Sequence, residues 1–411
     1  MSAAAPAGGR RAALAFIFVT ILLDMFALGL VIPVLPRLIE DFLGGDTAGA
    51  ARIYGLFATV WAVMQFLSMP VMGALSDRYG RRRVILLSNL GLGLSYVLMA
   101  LAPGLAWLFV ARVVSGITAA SVSTAMAYVA DVTPVAGRAT AFGRTGIAIG
   151  LGFVLGPALG GLLGSVDPRL PFWVAAALSL VNAAYGIFVL PESLAPGQRR
   201  AFEWRRANPL GSLKLLRSSR VLAGLAGVML LANIAHAALP ATFVLYAGYR
   251  FGWDARDVGF VLALVGASSA LVQGVLVGPL VRRLGERRVL LLGLLCGNVG
   301  FLAYGLAPTG LLFLAAVPVV ALWGLASPTT QGLMTQQVGA SQYGELQGAA
   351  GSVMGVATMI GPVLFATTFA YFIGAGAPLH LPGAAYLLAS LLLAAATVLA
   401  LRVTAAPEAA R

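Results

Sequence analysis

The sequence repeats one short segment at half its own length. Residues 73–83 read Gly-Ala-Leu-Ser-Asp-Arg-Tyr-Gly-Arg-Arg-Arg, and residues 278–288 read Gly-Pro-Leu-Val-Arg-Arg-Leu-Gly-Glu-Arg-Arg. The two copies start 205 residues apart in a chain of 411 residues, and each lies between apolar stretches. Two similar halves joined head to tail in a hydrophobic chain are typical of secondary transporters. The repeat therefore predicts a membrane protein built from two related bundles.

The composition indicates a chain that is solvated mostly by lipid. Hydrophobic residues make up 60% of the sequence and charged residues 10%, and the mean hydropathy is +0.93. Soluble domains carry roughly 25% charged residues. The formal net charge of +13 does not indicate nucleic-acid binding, because the basic residues are not clustered beside aromatic residues on a polar domain.

Twelve segments are long and apolar enough to cross a bilayer, which takes about 20 residues at 1.5 Å per residue. One long polar stretch, residues 191–220, separates six segments from six, and we expect a short amphipathic surface helix within it at 209–216. The predicted fold is all-α and polytopic, with an N-terminal six-helix bundle (1–190), a cytoplasmic linker (191–220) and a C-terminal six-helix bundle (221–411) related by pseudo-two-fold symmetry. The predicted spans are 12–35, 53–75, 84–102, 105–129, 140–163, 170–190, 221–248, 258–281, 289–306, 309–331, 346–373 and 383–402.

The basic residues predict the orientation of these spans. With the N-terminus inside the cell, 21 of the 27 Lys and Arg residues fall in cytoplasmic stretches or at the cytoplasmic ends of spans, and only Arg112 falls deep within a span. We therefore expect a multi-pass protein of the inner (plasma) membrane with both termini in the cytoplasm. The first apolar run carries Asp24 and lacks a small-x-small cleavage site, so we expect it to remain as the first helix. The single cysteine, Cys296, excludes a disulfide within the chain.

Charged side chains inside a span are the strongest functional candidates, because each costs about 2.5 to 3.5 kcal/mol at the helix centre on insertion scales. Asp24 in the first span and Arg112 in the fourth are the clear cases. A carboxylate there can exchange a proton when its surroundings alternate between wet and dry. We predict that Asp24 carries protons or contacts a cationic substrate, with Arg112 and the titratable His236 as partners in proton coupling. The alternatives are a permanent structural pair of Asp24 with Arg112, and a histidine that bonds between helices.

The repeated loop contains a second group of candidates. Gly73 and Gly80 are expected to allow close backbone approach and a tight turn, and Asp77 can pair with an arginine or accept hydrogen bonds from a helix N-terminus. In the second copy Arg282 replaces Asp77, and Glu286 replaces Arg81. The contacts of the second copy must therefore differ from those of the first or be weaker. The alternative is that these charges only anchor the topology. The basic residues of the first loop are Arg78, Arg81, Arg82 and Arg83.

Glycines in the fifth span follow four-residue spacings that place bare backbone on one helix face, which permits close packing against another helix. Pro157 is expected to add a kink. Adding 205 to Gly156 and Pro157 gives Gly361 and Pro362, an independent sign of the repeat. The glycines are Gly146, Gly150, Gly152, Gly156, Gly160 and Gly161.

Polar and aromatic side chains within the spans are candidates for a substrate cavity. Each can instead be ordinary packing between helices. The polar candidates are Gln65, Asn182, Asn233, Gln273 and Asn298, and the aromatic candidates are Phe57, Trp61, Tyr128 and Trp323.

Taken together, these motifs resemble the major facilitator superfamily, and within it the drug:proton antiporter branch and its tetracycline-efflux members. The resemblance implies the major facilitator fold and proton-coupled export of a drug. It also implies that Asp77, Arg78 and Arg81 latch the second helix against the eleventh in the outward-facing state. It implies that the motif of Gly152, Gly156, Pro157, Gly160 and Gly161 accompanies antiport. The supporting stretches are the 73–83 loop, Leu22–Pro36 around Asp24, Ala111–Thr118 around Arg112, and Gly152–Gly161.

Departures from the tetracycline-efflux pattern affect the substrate more than the fold. Where those proteins carry an acid, a histidine and a second acid, this sequence has Ser95, Ser269 and Gly297. A tetracycline, which would arrive chelated to a metal ion, and a different amphipathic drug or metabolite are therefore almost equally supported.

The sequence thus predicts an antiporter that works by alternating access on a proton gradient. No Gly-x-x-x-x-Gly-Lys-Ser/Thr loop is present to bind nucleotide, and we expect no cofactor, no metal site of the protein and no enzymatic activity. The expected partners are a small-molecule substrate, protons and the lipid bilayer, with no nucleic acid, and the expected state is a monomer. The rival functions are a proton-driven symporter or facilitator for a small metabolite, and a non-transporting membrane receptor.

Overall fold

The computed structural model describes residues 7–134, 137–194, 197, 199, 211–339 and 342–404. Within these residues, twelve helices are long and apolar enough to cross a membrane, which confirms the predicted spans in number and order. We call them helices 1 to 12. They are Leu14–Phe42, Thr47–Tyr79, Arg81–Leu101, Leu105–Val132, Thr140–Val166, Leu170–Val189, Arg220–Phe251, Ala255–Leu284, Glu286–Leu306, Gly310–Thr335, Tyr343–Ile373 and Ala384–Thr404.

The repeated loop is almost entirely helical, because its charged residues extend the helices on either side. Helix 2 continues through Asp77 to Tyr79, and helix 3 begins at Arg81. Gly80 alone turns the chain, with φ of 101°, a conformation that residues with a Cβ rarely adopt. Gly285 makes the same one-residue connection between helices 8 and 9, with φ of 78°. The tight turn predicted at Gly80 is confirmed, and the second copy has the same turn at Gly285.

Five of the helices are interrupted, and four of the interruptions obey the 205-residue repeat. Helix 1 breaks after Val31, and helix 7 breaks after His236. Helix 4 breaks between Thr118 and Ser121, and helix 10 contains a 3-10 turn at Leu322–Leu325. Helix 8 contains a π-helical turn at Val272–Leu276. Irregular backbone of this kind leaves carbonyl and amide groups free to bind other groups inside a bundle.

Contacts divide the chain into two compact units. The first comprises Met1–Leu38, Val60–Asn208 and Ala255–Ala263, and the second comprises Ile39–Thr59, Pro209–Asp254 and Leu264–Arg411. The start of helix 2 groups with the second unit, where Tyr54 donates a hydrogen bond to the carbonyl of Pro240. The start of helix 8 groups with the first unit. The two halves of the sequence therefore exchange one short helical stretch each.

Each unit has its own core. In the first, helix 1 packs on helix 5 and helix 3 packs on helix 6, with Phe16, Ile85 and Tyr128 in one apolar cluster. In the second, helix 12 packs on helices 7 and 9, and aromatic rings fill the space. The rings of Tyr246 and Tyr386 lie 4.9 Å apart at nearly a right angle, an arrangement that aromatic pairs favour.

The linker is described only in part. A 3-10 helix runs over Gly211–Arg217, at the position of the predicted surface helix, and buries Leu215 and Leu216 while Lys214 is exposed. Residues 209 and 210 of that prediction, and most of the stretch before them, lie outside the described residues.

Candidate functional site

Asp24 is a buried carboxylate beside the break in helix 4. Its side chain is 5% exposed, and neither carboxylate oxygen has a hydrogen-bond partner among the described residues. Ser121, the first residue after the break, lies close enough to interact with the carboxylate. Burial of a carboxylate without hydrogen-bond partners costs free energy, so a buried carboxylate of this kind indicates a functional site.

Arg112 and Tyr96 complete the surroundings of Asp24. Tyr96 on helix 3 lies within electrostatic reach of both charged residues. The guanidinium carbon of Arg112 lies 5.7 Å from the centre of the Trp61 ring, within the range of a cation–π contact. The structure thus brings Asp24 and Arg112 into one neighbourhood around Tyr96.

Helix 2 holds the break in helix 4 in place. The side-chain amide of Gln65 donates to the carbonyl of Ala119, which the break leaves without its helical partner, at 3.4 Å. A Cβ on Gly116 would approach the Trp61 carbonyl oxygen to 2.7 Å, so only glycine fits this crossing. Gln65 and Trp61, both predicted as cavity residues, therefore also shape the backbone next to Asp24.

The loop residues form a charged network centred on Arg81. Its guanidinium lies 2.6 Å from the carboxylate of Asp77, and its Nε donates to Asp131 at 3.1 Å. Its backbone amide donates to Glu192 at 2.8 Å. The pairing of Asp77 with an arginine is thus confirmed. Sequence reasoning missed Asp131 and Glu192, although each is an isolated acid at the loop end of a predicted span.

The other members of the loop contribute less to this network. Arg82 donates to the carbonyl of Ile187, and the guanidinium of Arg78 lies 5.0 Å from the centre of the Tyr79 ring. A Cβ on Gly73 would meet no atom within 4 Å. The expected close backbone approach at Gly73 is therefore wrong, because that side of helix 2 faces open space.

Four of the predicted glycines of helix 5 lie against neighbouring helices. Those at 152, 156 and 160 lie against the backbone of helix 1, where a Cβ on Gly156 would come within 2.7 Å of the Gly29 Cα. Gly161 instead faces Ala255 and Gly259 of helix 8. Pro157 lies inside the continuous helix Arg138–Val166.

The prediction of one glycine face is wrong at the start of helix 5. Gly146 and Gly150 have no neighbour within 4 Å of a Cβ, so their spacing continues beyond the contact with helix 1. The equivalent contact recurs in the second unit, where Gly361 faces Ala237 and the carbonyl of Ile234. These positions lie 205 residues after Gly156 and Gly29, so the repeat extends to helix packing.

Several predicted residues of the second unit gather at its helix breaks. His236 is exposed at the break in helix 7, and its ring lies 5.5 Å from that of Trp323 in the 3-10 turn of helix 10. Gln273 lies in the π-helical turn, with its amide nitrogen 3.9 Å from a Cβ built on Gly324. Asn233 donates to the Met229 carbonyl of its own helix at 2.8 Å.

Four of the predicted cavity residues are packed inside their units. Tyr128 is fully buried and donates to the Pro191 carbonyl at 3.0 Å, and Asn182 accepts from Thr20 on helix 1. Asn298 and Ser390 each donate to the other's carbonyl, at 2.7 and 3.1 Å. Phe57 is 3% exposed. The contacts of Tyr128, Asn182 and Asn298 hold neighbouring helices together, and sequence depth alone does not reveal such contacts.

The sequence matches the family model of the Major Facilitator Superfamily at residues 17–362 and 251–411. The chain belongs to the major facilitator superfamily. This transporter is 36% identical to the class C tetracycline resistance protein of Escherichia coli over 87% of its own length and 90% of that protein. It is 37% identical to the class D tetracycline resistance protein of Salmonella ordonez over 85% and 87%.

Solved structures agree with this membership. The human organic anion transporter MFSD10 (TETRAN) superposes with a TM-score of 0.69 and 25% identity, over 95% of this chain and 99% of that one. The chain is therefore a multi-pass membrane transporter of small molecules and not an enzyme, and its resemblance to drug-efflux proteins is confirmed.

Proposed function

We propose that this transporter is a proton-coupled antiporter that exports an amphipathic small molecule from the cell by alternating access. The observation that carries the proposal is the buried Asp24 carboxylate, without a hydrogen-bond partner among the described residues and close to Arg112. Relatives at 36% and 37% identity are named tetracycline resistance proteins, which supports a drug as the substrate.

In this proposal Asp24 binds a proton from the outer side and releases it to the inner side. Tyr96 and Ser121 supply polar neighbours, and Arg112 supplies a positive charge that favours release of the proton. Each elementary charge that crosses 100 mV contributes about 2.3 kcal/mol, so the gradient alone can drive export without a cofactor. We place the protein as a monomer in the plasma membrane with both termini in the cytoplasm.

The substrate would contact the residues at the helix breaks of the second unit. His236 and Trp323 present an imidazole and an aromatic face, and Gln273 presents an amide beside a π-helical turn. Such a mixture of apolar surface and few polar groups suits an amphipathic molecule. Trp61 and Gln65 are the corresponding candidates in the first unit.

A tetracycline is the first substrate to test, and a different amphipathic drug is the alternative. Ser95 is buried and donates to the Leu92 carbonyl of its own helix, while Gly297 packs against Trp323. Neither supplies the acid of the tetracycline-efflux pattern. The alternative is therefore a drug that crosses the membrane without a chelated metal ion.

Transport into inverted membrane vesicles tests the proposal. With an acid-inside gradient, vesicles that contain the transporter should accumulate tetracycline or another drug, and nigericin should abolish the accumulation. In cells, collapse of the gradient should raise the internal drug concentration. A fall in internal concentration would favour a proton-driven symporter, and vesicles without flux of any ligand would favour a non-transporting receptor.

A further inference from the structure

Five buried polar side chains lie between the helices of the first unit, on the side of Asp24 that faces the 73–83 loop. Each residue is at most 3% exposed, and all five lie within membrane-spanning helices. We call this set the polar layer. Its members are Thr20 on helix 1, Ser88 and Asn89 on helix 3, Thr124 on helix 4 and Asn182 on helix 6.

Contacts between helices 1, 3 and 6 place three of these residues at one level. Thr20 donates to Asn182 at 3.2 Å, which joins helices 1 and 6. Two glycine contacts fix the register of helices 3 and 6. Gly93 on helix 3 faces Leu180 on helix 6, and Gly186 on helix 6 faces Leu86 on helix 3. Because these two helices run in opposite directions, Asn89 lies beside the turn of helix 6 that contains Asn182.

Helix 4 contributes to the same level. Ile85 on helix 3 and Ala125 on helix 4 belong to one apolar cluster. Ser88 follows Ile85 by about one helical turn, and Thr124 precedes Ala125 directly. Both residues therefore lie where helices 3 and 4 meet, within about one helical turn of Asn89 along the helix axes.

Most of the hydrogen-bonding capacity of the polar layer is unused by the protein. Among the described residues, no partner exists for the Ser88 hydroxyl, for either atom of the Asn89 amide, for the Thr124 hydroxyl or for the Asn182 nitrogen. Buried polar groups in proteins are hydrogen-bonded almost without exception, and internal water supplies the partner where the protein does not. Five such atoms within about one helical turn of one another offer water molecules the two to four polar partners that each requires.

We propose that the polar layer binds internal water and conducts protons between Asp24 and the loop side of the first unit. This inference rests on the proposed function, since it supplies the path for the proton that Asp24 releases. Thr20 precedes Asp24 by four residues on helix 1, so the layer begins about 6 Å from the carboxylate. The proton hops from the Asp24 carboxyl group along the water molecules, and no bond of the protein other than O–H is broken.

The path ends at charged residues on the loop side of the first unit. Beyond the layer, at the loop ends of helices 4 and 6, lie the carboxylates of Asp131 and Glu192, both in contact with Arg81. On the other side, Arg112 and Tyr96 flank Asp24 itself. The layer thus connects two groups of charged side chains through a region without a charge of its own.

Substitutions that remove the polar atoms but keep the side-chain volume test the proposal. Asn89→Leu and Thr124→Val each replace unpartnered atoms by methyl groups, and neither should destabilise the fold. The matched control is Thr397→Val on helix 12, where the hydroxyl bonds only to its own helix. Each protein is purified at full length, reconstituted into liposomes and assayed with tetracycline for gradient-driven accumulation and for counterflow without a gradient.

We expect Asn89→Leu and Thr124→Val to slow gradient-driven accumulation by about tenfold or more, because proton transfer through a positioned group is lost, while counterflow stays within about twofold. The control should match the wild type in both assays. Equal gradient-driven rates in all variants would overturn the inference while leaving the proposed function intact. A wild-type protein without gradient-driven transport would overturn both the proposed function and the conducting role.

A high-resolution density map of the wild-type protein tests the water directly and does not depend on how well the variants fold. Ordered water density is expected beside Asn89 and Asn182. A map of sufficient resolution to show ordered water elsewhere in the protein but none between these side chains would overturn the proposal.

Discussion

Gln336 donates a hydrogen bond to the carboxylate of Glu286 across 2.9 Å, and these residues lie 205 positions after Asp131 and Arg81. In the first half, helix 3 begins with the basic residue Arg81, and the acid Asp131 lies in the last turn of helix 4. In the second half, helix 9 begins with the acid Glu286, and the neutral amide Gln336 directly follows helix 10. The repeat has therefore kept the contact while donor and acceptor exchanged places. We expected the contacts of the second copy to differ from those of the first, and this exchange of donor and acceptor is the difference.

Restoring the first-half pair in the second half should therefore be tolerated. Glu286→Arg alone places a cation against an amide and should lower the melting temperature, whereas Glu286→Arg with Gln336→Asp recreates an Arg–Asp pair. We expect a coupling free energy of about 0.5 to 1 kcal/mol between the two changes, since both sites are accessible to solvent. Thermal unfolding of the four proteins in detergent measures it, and strictly additive effects would contradict the equivalence of the two contacts.

Arg81 should control the rate of the transport cycle more than the affinity for substrate. In Arg81→Gln the charged contacts to Asp77 and Asp131 are lost. Loss of one charge-assisted hydrogen bond of about 1.5 kcal/mol corresponds to a roughly tenfold slower step. The control is Arg83→Gln, whose side chain is exposed. An Arg81 variant with unchanged turnover in vesicles would show that the loop acts only as a topological anchor.

Two glycines of helix 5 provide a matched pair for the packing contact with helix 1. Gly156→Ala forces a Cβ to within 2.7 Å of the Gly29 Cα, and we expect it to destabilise the protein by about 1 to 3 kcal/mol. Gly150→Ala meets nothing within 4 Å and should be neutral or stabilise by up to about 1 kcal/mol. Melting temperatures of the two variants are compared with the wild type. Equal losses at both positions would contradict the packing described for helix 5.

The number and order of membrane helices could be predicted from the sequence because hydrophobic length depends on composition alone. The ends could not be predicted as well, since helix 2 continues through charged residues to Tyr79. The glycine spacing of helix 5 identified a contact face but not its extent. Gly146 and Gly150 follow the same spacing as Gly156, yet helix 1 does not reach them.

The break in helix 4 beside Asp24 carries no comparable sequence signal, because residues 118–121 contain no proline. The break after His236 does carry a sequence signal, since Pro240 lies four residues later and has no N–H to donate to the His236 carbonyl. Tertiary contacts hold the first break, since Gln65 bonds to Ala119 from another helix. Burial likewise decides whether a polar residue at membrane depth faces a cavity or a neighbouring helix.

The most direct test of the account is transport by Asp24→Asn in liposomes, with Asp41→Asn as the control because Asp41 is exposed. The amide keeps the size of the side chain and cannot carry a proton. We expect Asp24→Asn to lose gradient-driven accumulation while it retains counterflow and the wild-type melting temperature, and Asp41→Asn to behave as the wild type. Uphill transport by Asp24→Asn at the wild-type rate would contradict the role of Asp24 as the proton carrier.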